Sequence, residues 1–161
     1  MNDVIKAKNE LLEYVYTLNQ KFELSKTITE DYFEPGMMEN LEQYKGKFDE
    51  VNNIILLRVD AKGLRYDNRT QNLEKLQVGD TIQIIRDMEN QFNHNNFNIN
   101  ANGMSLGTLP AELCNVLAPL YDNKLVTISS SKVSYIERLR DRSRYAKQGV
   151  MFVELHIQYN Q

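Results

Sequence analysis

The sequence predicts an α+β chain that is mainly β: a helical segment over residues 1–45, then a small, partly closed β-barrel over residues 46–161. Three observations carry this. Apolar residues recur at helical steps through the first two dozen positions. From Phe48 onward, β-branched and alternating runs take over. Two short helical patterns interrupt those runs, too few for a layered α/β fold.

The first helix rests on Val4, Leu11, Val15, Leu18 and Phe22, which step by three, four and seven with charge between them. Such a stripe must be buried, against the chain's own later part or in a homodimer or partner interface. Thr27 and Glu30 have capping-box spacing for a second short helix that Pro35-Gly36 would end, and MMENLEQY (37–44) reads as a third.

NIILLRV (53–59) suits a buried strand. Asn68 is placed to cap a short helix, RTQNLEKL, whose Leu73 and Leu76 lie three apart. Val78-Gly79-Asp80 turns into the strand TIQIIR. From Asn96 to Asn102, asparagines alternate with Phe97, Ile99 and Ala101, which sends Phe97 and Ile99 to the core and the asparagines outward. Asn102-Gly103 is a strong hairpin signal, with Met104–Leu106 as the return strand. Pro110 opens a helix with Leu113, Val116, Leu117 and Leu120 on one face, and Pro119 weakens or kinks its end. KLVTISSSKVSYIERL and GVMFVELHIQYN complete the strands.

With 19 basic against 22 acidic residues and a net charge of −3, the chain is not one that coats nucleic acid by overall charge. A nucleic-acid site has to be a local patch. No apolar run reaches the roughly 18–20 residues of a membrane span, and the N-terminus lacks the apolar centre of a secretory signal. The single cysteine, Cys114, lies among helical apolar positions and permits no intramolecular disulfide and no cysteine-based zinc site. The expected setting is the reducing cytoplasm. His94 and His156 have no second ligand at metal spacing, and no phosphate loop or nucleophile motif is present. The expectation is a non-enzymatic protein without a cofactor.

Two local surfaces remain. RDMENQFNHN leaves a strand and brings Arg86, Asn90, Phe92 and Asn93 into one loop. Asparagines can close such a loop on their own backbone, or offer amides beside an arginine and an aromatic ring for recognition. RLRDRSRYAK holds Arg138, Arg140, Arg142 and Arg144, with Tyr145 and Lys147. If extended, these arginines would line one face as a phosphate track with one stacking ring. The alternative is a solvated loop partly neutralised by Glu137 and Asp141.

GLRY (63–66), LQVGD, RDMENQFN, the LG of SLGTLP and APLYDNKL occur in the order seen in HIRAN domains, and residues 52–158 resemble that family. The resemblance implies a six-stranded barrel related to the OB-fold, flanked by two helices. It also implies single-stranded DNA binding at a free 3′ end, as in DNA-repair helicases that carry the domain; bacterial and phage proteins carry it too. On that implication Arg65 and Tyr66 contact the terminal nucleotides and Asn90 holds the backbone. Asn93 stands where the family places an aspartate, Asp67 where it has a second tyrosine, Thr108 where it has an aromatic or histidine, and Ala111 in place of a lysine. The implied end binding is therefore weaker than in the helicases. A second function competes: a protein-binding module directed at a nuclease or helicase, such as a mobile-element protein acting against a host defence nuclease. Net acidity and the amphipathic first helix favour it.

Overall fold

The computed structural model describes residues 2–29 and 46–160. Helix α1 (Asn2–Thr29) is followed by β1 (Gly46–Asp49), β2 (Ile54–Asp60), α2 (Arg69–Asn72) with a 3-10 turn over Leu73–Lys75, β3 (Gln83–Asp87), β4 (Asn96–Ala101), β5 (Met104–Thr108), α3 (Ala111–Asp122), β6 (Val126–Glu137) and β7 (Val150–Tyr159).

The strands form two antiparallel sheets, ordered β1-β2-β7-β6 and β3-β4-β5. Single bridges join them at both margins. Lys62 pairs with Thr108 beyond the end of β2, and Thr81 pairs with Lys132 ahead of β3. Following these contacts gives the ring β2-β7-β6-β3-β4-β5, the expected six-stranded, partly closed barrel, with β1 added beside β2.

Alternation explains the core. Ile55, Leu57 and Val59 of β2 and Val153, Leu155 and Ile157 of β7 point inward with Phe97 and Ile99 of β4. Helix α3 closes the interior with Leu113, Cys114, Leu117 and Leu120. Leu73 and Leu76 are buried as expected, and Asn102-Gly103, both at positive φ, make the hairpin turn.

The stripe Leu11, Val15 and Leu18 of α1 joins this same core, and the helix packs against α3 and β1. Asn19 ties it down: its amide nitrogen donates to Gly46 O and its oxygen accepts from Gly46 N, both at 2.8 Å. An amide thus occupies part of the outer edge of β1, where another strand would otherwise pair.

Four expectations need correction. Thr27 starts no new helix, because α1 runs through it to Thr29. The remainder of the proposed second helix and the stretch 37–44 lie outside the described residues. Asn68 makes no side-chain cap; its backbone is left-handed, and its carbonyl accepts from Asn72 N at 2.9 Å. Asn96 lies on the same face as Asn98, to whose Oδ1 its Nδ2 donates at 2.7 Å, but it is buried there rather than exposed, while Asn98 and Asn100 are half-buried and Asn102 is exposed. Strand β1, finally, was not expected at all.

Candidate nucleic-acid interface

The turn carrying Arg65 and Tyr66 is built from glycine, two left-handed residues and one buried arginine. Gly63 sits at φ +74, and a Cβ there would meet Arg69 Nη1 at 2.7 Å. Tyr66 N donates to Gly63 O at 3.2 Å, and Asp67 and Asn68 follow at φ 56 and 62. Arg69, with only 13% of its side chain exposed, donates from Nη1 to Gly63 O at 3.0 Å and from Nε to Ser105 Oγ at 2.9 Å. It pins the turn to β5. Sequence reasoning missed Arg69, although its spacing of six from Gly63 across a tight turn was a usable signal.

This frame presents Arg65 and Tyr66 to solvent. The Tyr66 side of the pair is 53% exposed. The Arg65 guanidinium carbon lies 5.0 Å from the Tyr66 ring centroid, and Nη2 donates to the phenol oxygen at 2.7 Å. A planar cation held over an open ring can meet a phosphate on one side and a base on the other.

In the 86–96 loop the same residue types do a different job. Arg86 is 10% exposed and donates to Asp122 Oδ1 and Oδ2 at 2.9 and 3.0 Å, to His94 O at 2.7 Å and to Asn96 O at 3.1 Å. The Asp122 bond raises its pKa further above the ordinary arginine value. Arg86 positions the loop; its donors are turned inward to these acceptors rather than to a ligand. Asn90 Oδ1 accepts from Phe92 N at 2.9 Å and Asn93 N at 3.0 Å, the self-closing turn anticipated for asparagine. Asn93 Oδ1 accepts from Asn95 N at 3.0 Å, while Asn93 and Asn95 both donate to Asn115 Oδ1 at 3.3 Å. Outward the loop offers Phe92, 89% exposed, beside the exposed Met88, Glu89, Gln91 and His94.

The arginine run is not an extended track. Leu139–Asp141 form a 3-10 turn, which breaks the alternation. Arg138 donates to Leu76 O and lies 3.8 Å from Glu74, Arg140 bonds Glu74 at 2.9 Å, and Arg142 donates to Gln148 O at 2.8 Å and lies 3.5 Å from Glu137. These three fasten the β6–β7 loop. Arg144 and Tyr145 remain at the surface, the tyrosine 76% exposed.

Topology brings several of these parts together. Thr70 Oγ1 donates to Leu64 O at 2.8 Å and accepts from Gly149 N at 3.2 Å, so one hydroxyl joins the GLRY turn to the base of the arginine loop. On the other side, Lys62 bonds Thr108, which is in register with Asn98 of β4.

Residues 54–148, more than half of the chain, match the family model described as the HIRAN domain. Two solved structures are similar. The HIRAN domain of human HLTF is 24% identical, covering 64% of this chain and 76% of that one, with a TM-score of 0.46. A protein from Lactobacillus plantarum is 21% identical, covering 63% of this chain and 95% of that one, with a TM-score of 0.47. No curated protein sequence matches.

Proposed function

This chain belongs to the HIRAN domain family, a family known for DNA binding, and from that premise we propose that it is a non-catalytic nucleic-acid-binding module for single-stranded DNA or DNA 3′ ends. The observation that supports this reading best is the exposed Arg65–Tyr66 pair on its braced turn. Phe92 supplies an additional ring for stacking, and Asn90 shapes the loop that carries it. Base–aromatic stacking contributes about 1–3 kcal/mol per base, so one or two rings support binding without sequence choice.

A mobility-shift panel tests the proposal at low salt with single strands bearing a free 3′ end, the same strands with a blocked 3′ end, and a blunt duplex. Tighter binding of the free end, lost in Arg65→Ala and Tyr66→Ala, supports it. Equal failure with all three ligands overturns it.

A protein-binding role is the second reading, favoured by the exposed apolar group Ile85, Met88 and Phe92 on β3 and its loop. Its partner would be a nuclease or helicase, or a second copy of the chain. A nuclease or helicase retained by the intact protein and released by Phe92→Ser, with oligonucleotide binding absent throughout, would favour it over the first.

A further inference from the structure

The eight arginines divide into two groups by their partners. Among the described residues six are ion-paired: Arg58 with Glu154, Arg69 with Asp67, Arg86 with Asp122, Arg138 and Arg140 with Glu74, and Arg142 with Glu137. Among those residues Arg65 and Arg144 have no carboxylate partner. Both instead lie over the tyrosine that follows them in the chain. Arg144 Nη2 donates to Tyr145 OH at 2.8 Å with its guanidinium carbon 4.9 Å from the ring centroid; the Arg65–Tyr66 values are 2.7 and 5.0 Å. Two loops distant in sequence thus present the same uncompensated cation on the same exposed ring.

The loops are also tied together. The Thr70 hydroxyl bonds the carbonyl just before Arg65 and the amide of Gly149 behind Tyr145, while Arg138 and Arg140 hold the arginine loop to Glu74 beside α2. Arg142 braces that loop internally through Gln148 O. Each pair is therefore mounted on a fixed base.

We propose that Arg65–Tyr66 and Arg144–Tyr145 form a two-point clamp for one single strand of nucleic acid, bound with its bases toward the protein. This rests on the nucleic-acid reading above and extends it to a second stacking residue, Tyr145. The neighbouring arginines are paired with Asp67, Glu74 and Glu137, and Asp141 adds a negative charge, so the surface offers no continuous phosphate track. The strand therefore stacks two separated bases on the rings and keeps most phosphates in solvent. A duplex, whose bases are already stacked, cannot do this. Only two cations meet phosphate, so binding has a shallow salt dependence, with a log–log slope of about −1.5.

The test is fluorescence anisotropy on the full chain with labelled oligothymidylates of about 2 to about 12 nucleotides, using wild type, Tyr66→Leu and Tyr145→Leu. Both tyrosines are exposed, and unchanged thermal melts verify the fold. Wild-type affinity should rise with length and then level off. Tyr145→Leu should weaken the long ligands about tenfold and leave the shortest unchanged, whereas Tyr66→Leu weakens all lengths. If Tyr66→Leu weakens binding but Tyr145→Leu is silent at every length, the clamp is overturned and single-site binding stands. If wild type binds none of the ligands, both readings fall. A steep salt slope, or duplex bound as tightly as single strand, overturns the bases-inward mode.

Discussion

Arg86 and Asp122, 36 residues apart, meet through two parallel bonds of 2.9 and 3.0 Å, joining the end of β3 to the last turn of α3. The remaining contacts of the same guanidinium hold the carbonyls of His94 and Asn96, so one side chain fixes both ends of the exposed loop. Arg86→Ala strands these acceptors and should cost about 3 kcal/mol in urea unfolding. Arg86→Lys should recover little of that, because a point charge cannot reproduce the fork.

The Asn19–Gly46 contact gives a second expectation. A Cβ on residue 46 would lie 2.8 Å from Leu57 Cδ2 and 2.9 Å from Val15 Cγ1. Gly46→Ala should therefore lower stability by about 1–3 kcal/mol through overpacking, measured as a shifted denaturation midpoint. Asn19→Ala removes both hydrogen bonds and should cost about 1–2 kcal/mol.

Acid sensitivity should centre on Glu154. Burial alone would raise its pKa, but hydrogen bonds and charge from Arg58 and Lys132, at 3.0 and 3.2 Å, outweigh that and hold it below the ordinary 4.5. A carboxylate whose folded pKa is depressed stabilises the fold above its unfolded value, and the contribution is lost as pH falls through the folded value. Urea midpoints should thus fall below about pH 4.5, and Glu154→Gln should flatten that decline while lowering stability near neutrality.

Cys114 is fully buried in α3, and burial raises its thiol pKa. Native protein should react with a thiol reagent only as fast as it opens, and urea should restore rapid labelling. Rapid labelling without urea would contradict the packing of α3.

Asn93→Asp tests the loop's part in the proposed end binding. The oxygen that accepts from Asn95 N is retained, and Asn115 can turn its amide to donate to the new carboxylate at the loss of one exposed bond, the 3.3 Å contact from Asn95 Nδ2. The variant should fold normally and favour a free over a blocked 3′ end by about fivefold more than wild type, reflecting a charge-assisted bond.

How much of this was legible depended on whether the cause was local. The β4–β5 hairpin could be read from alternation and one dipeptide, and the α1 stripe from its spacing. Strand β1 could not, because GKFD has one apolar residue and owes its conformation to β2 and to Asn19. Arginines were the least readable residues. Nothing near Arg86 announces Asp122, and nothing in the evenly spaced Arg138–Arg144 run reveals that three of them are fastened to distant or loop acceptors. The asparagine loop lay between these extremes: its self-closing turn was foreseeable, its contact with Asn115 was not.

The family match stops at residue 148, yet β7 begins at Val150 and is the central strand between β2 and β6. Excising the matched segment for study would remove that strand, as well as β1 and the helix whose Leu11 is sealed in the core. The recognisable signature is smaller than the unit that must cooperate to fold, so a failed fragment would report on where the cut was made and say nothing about the binding surface.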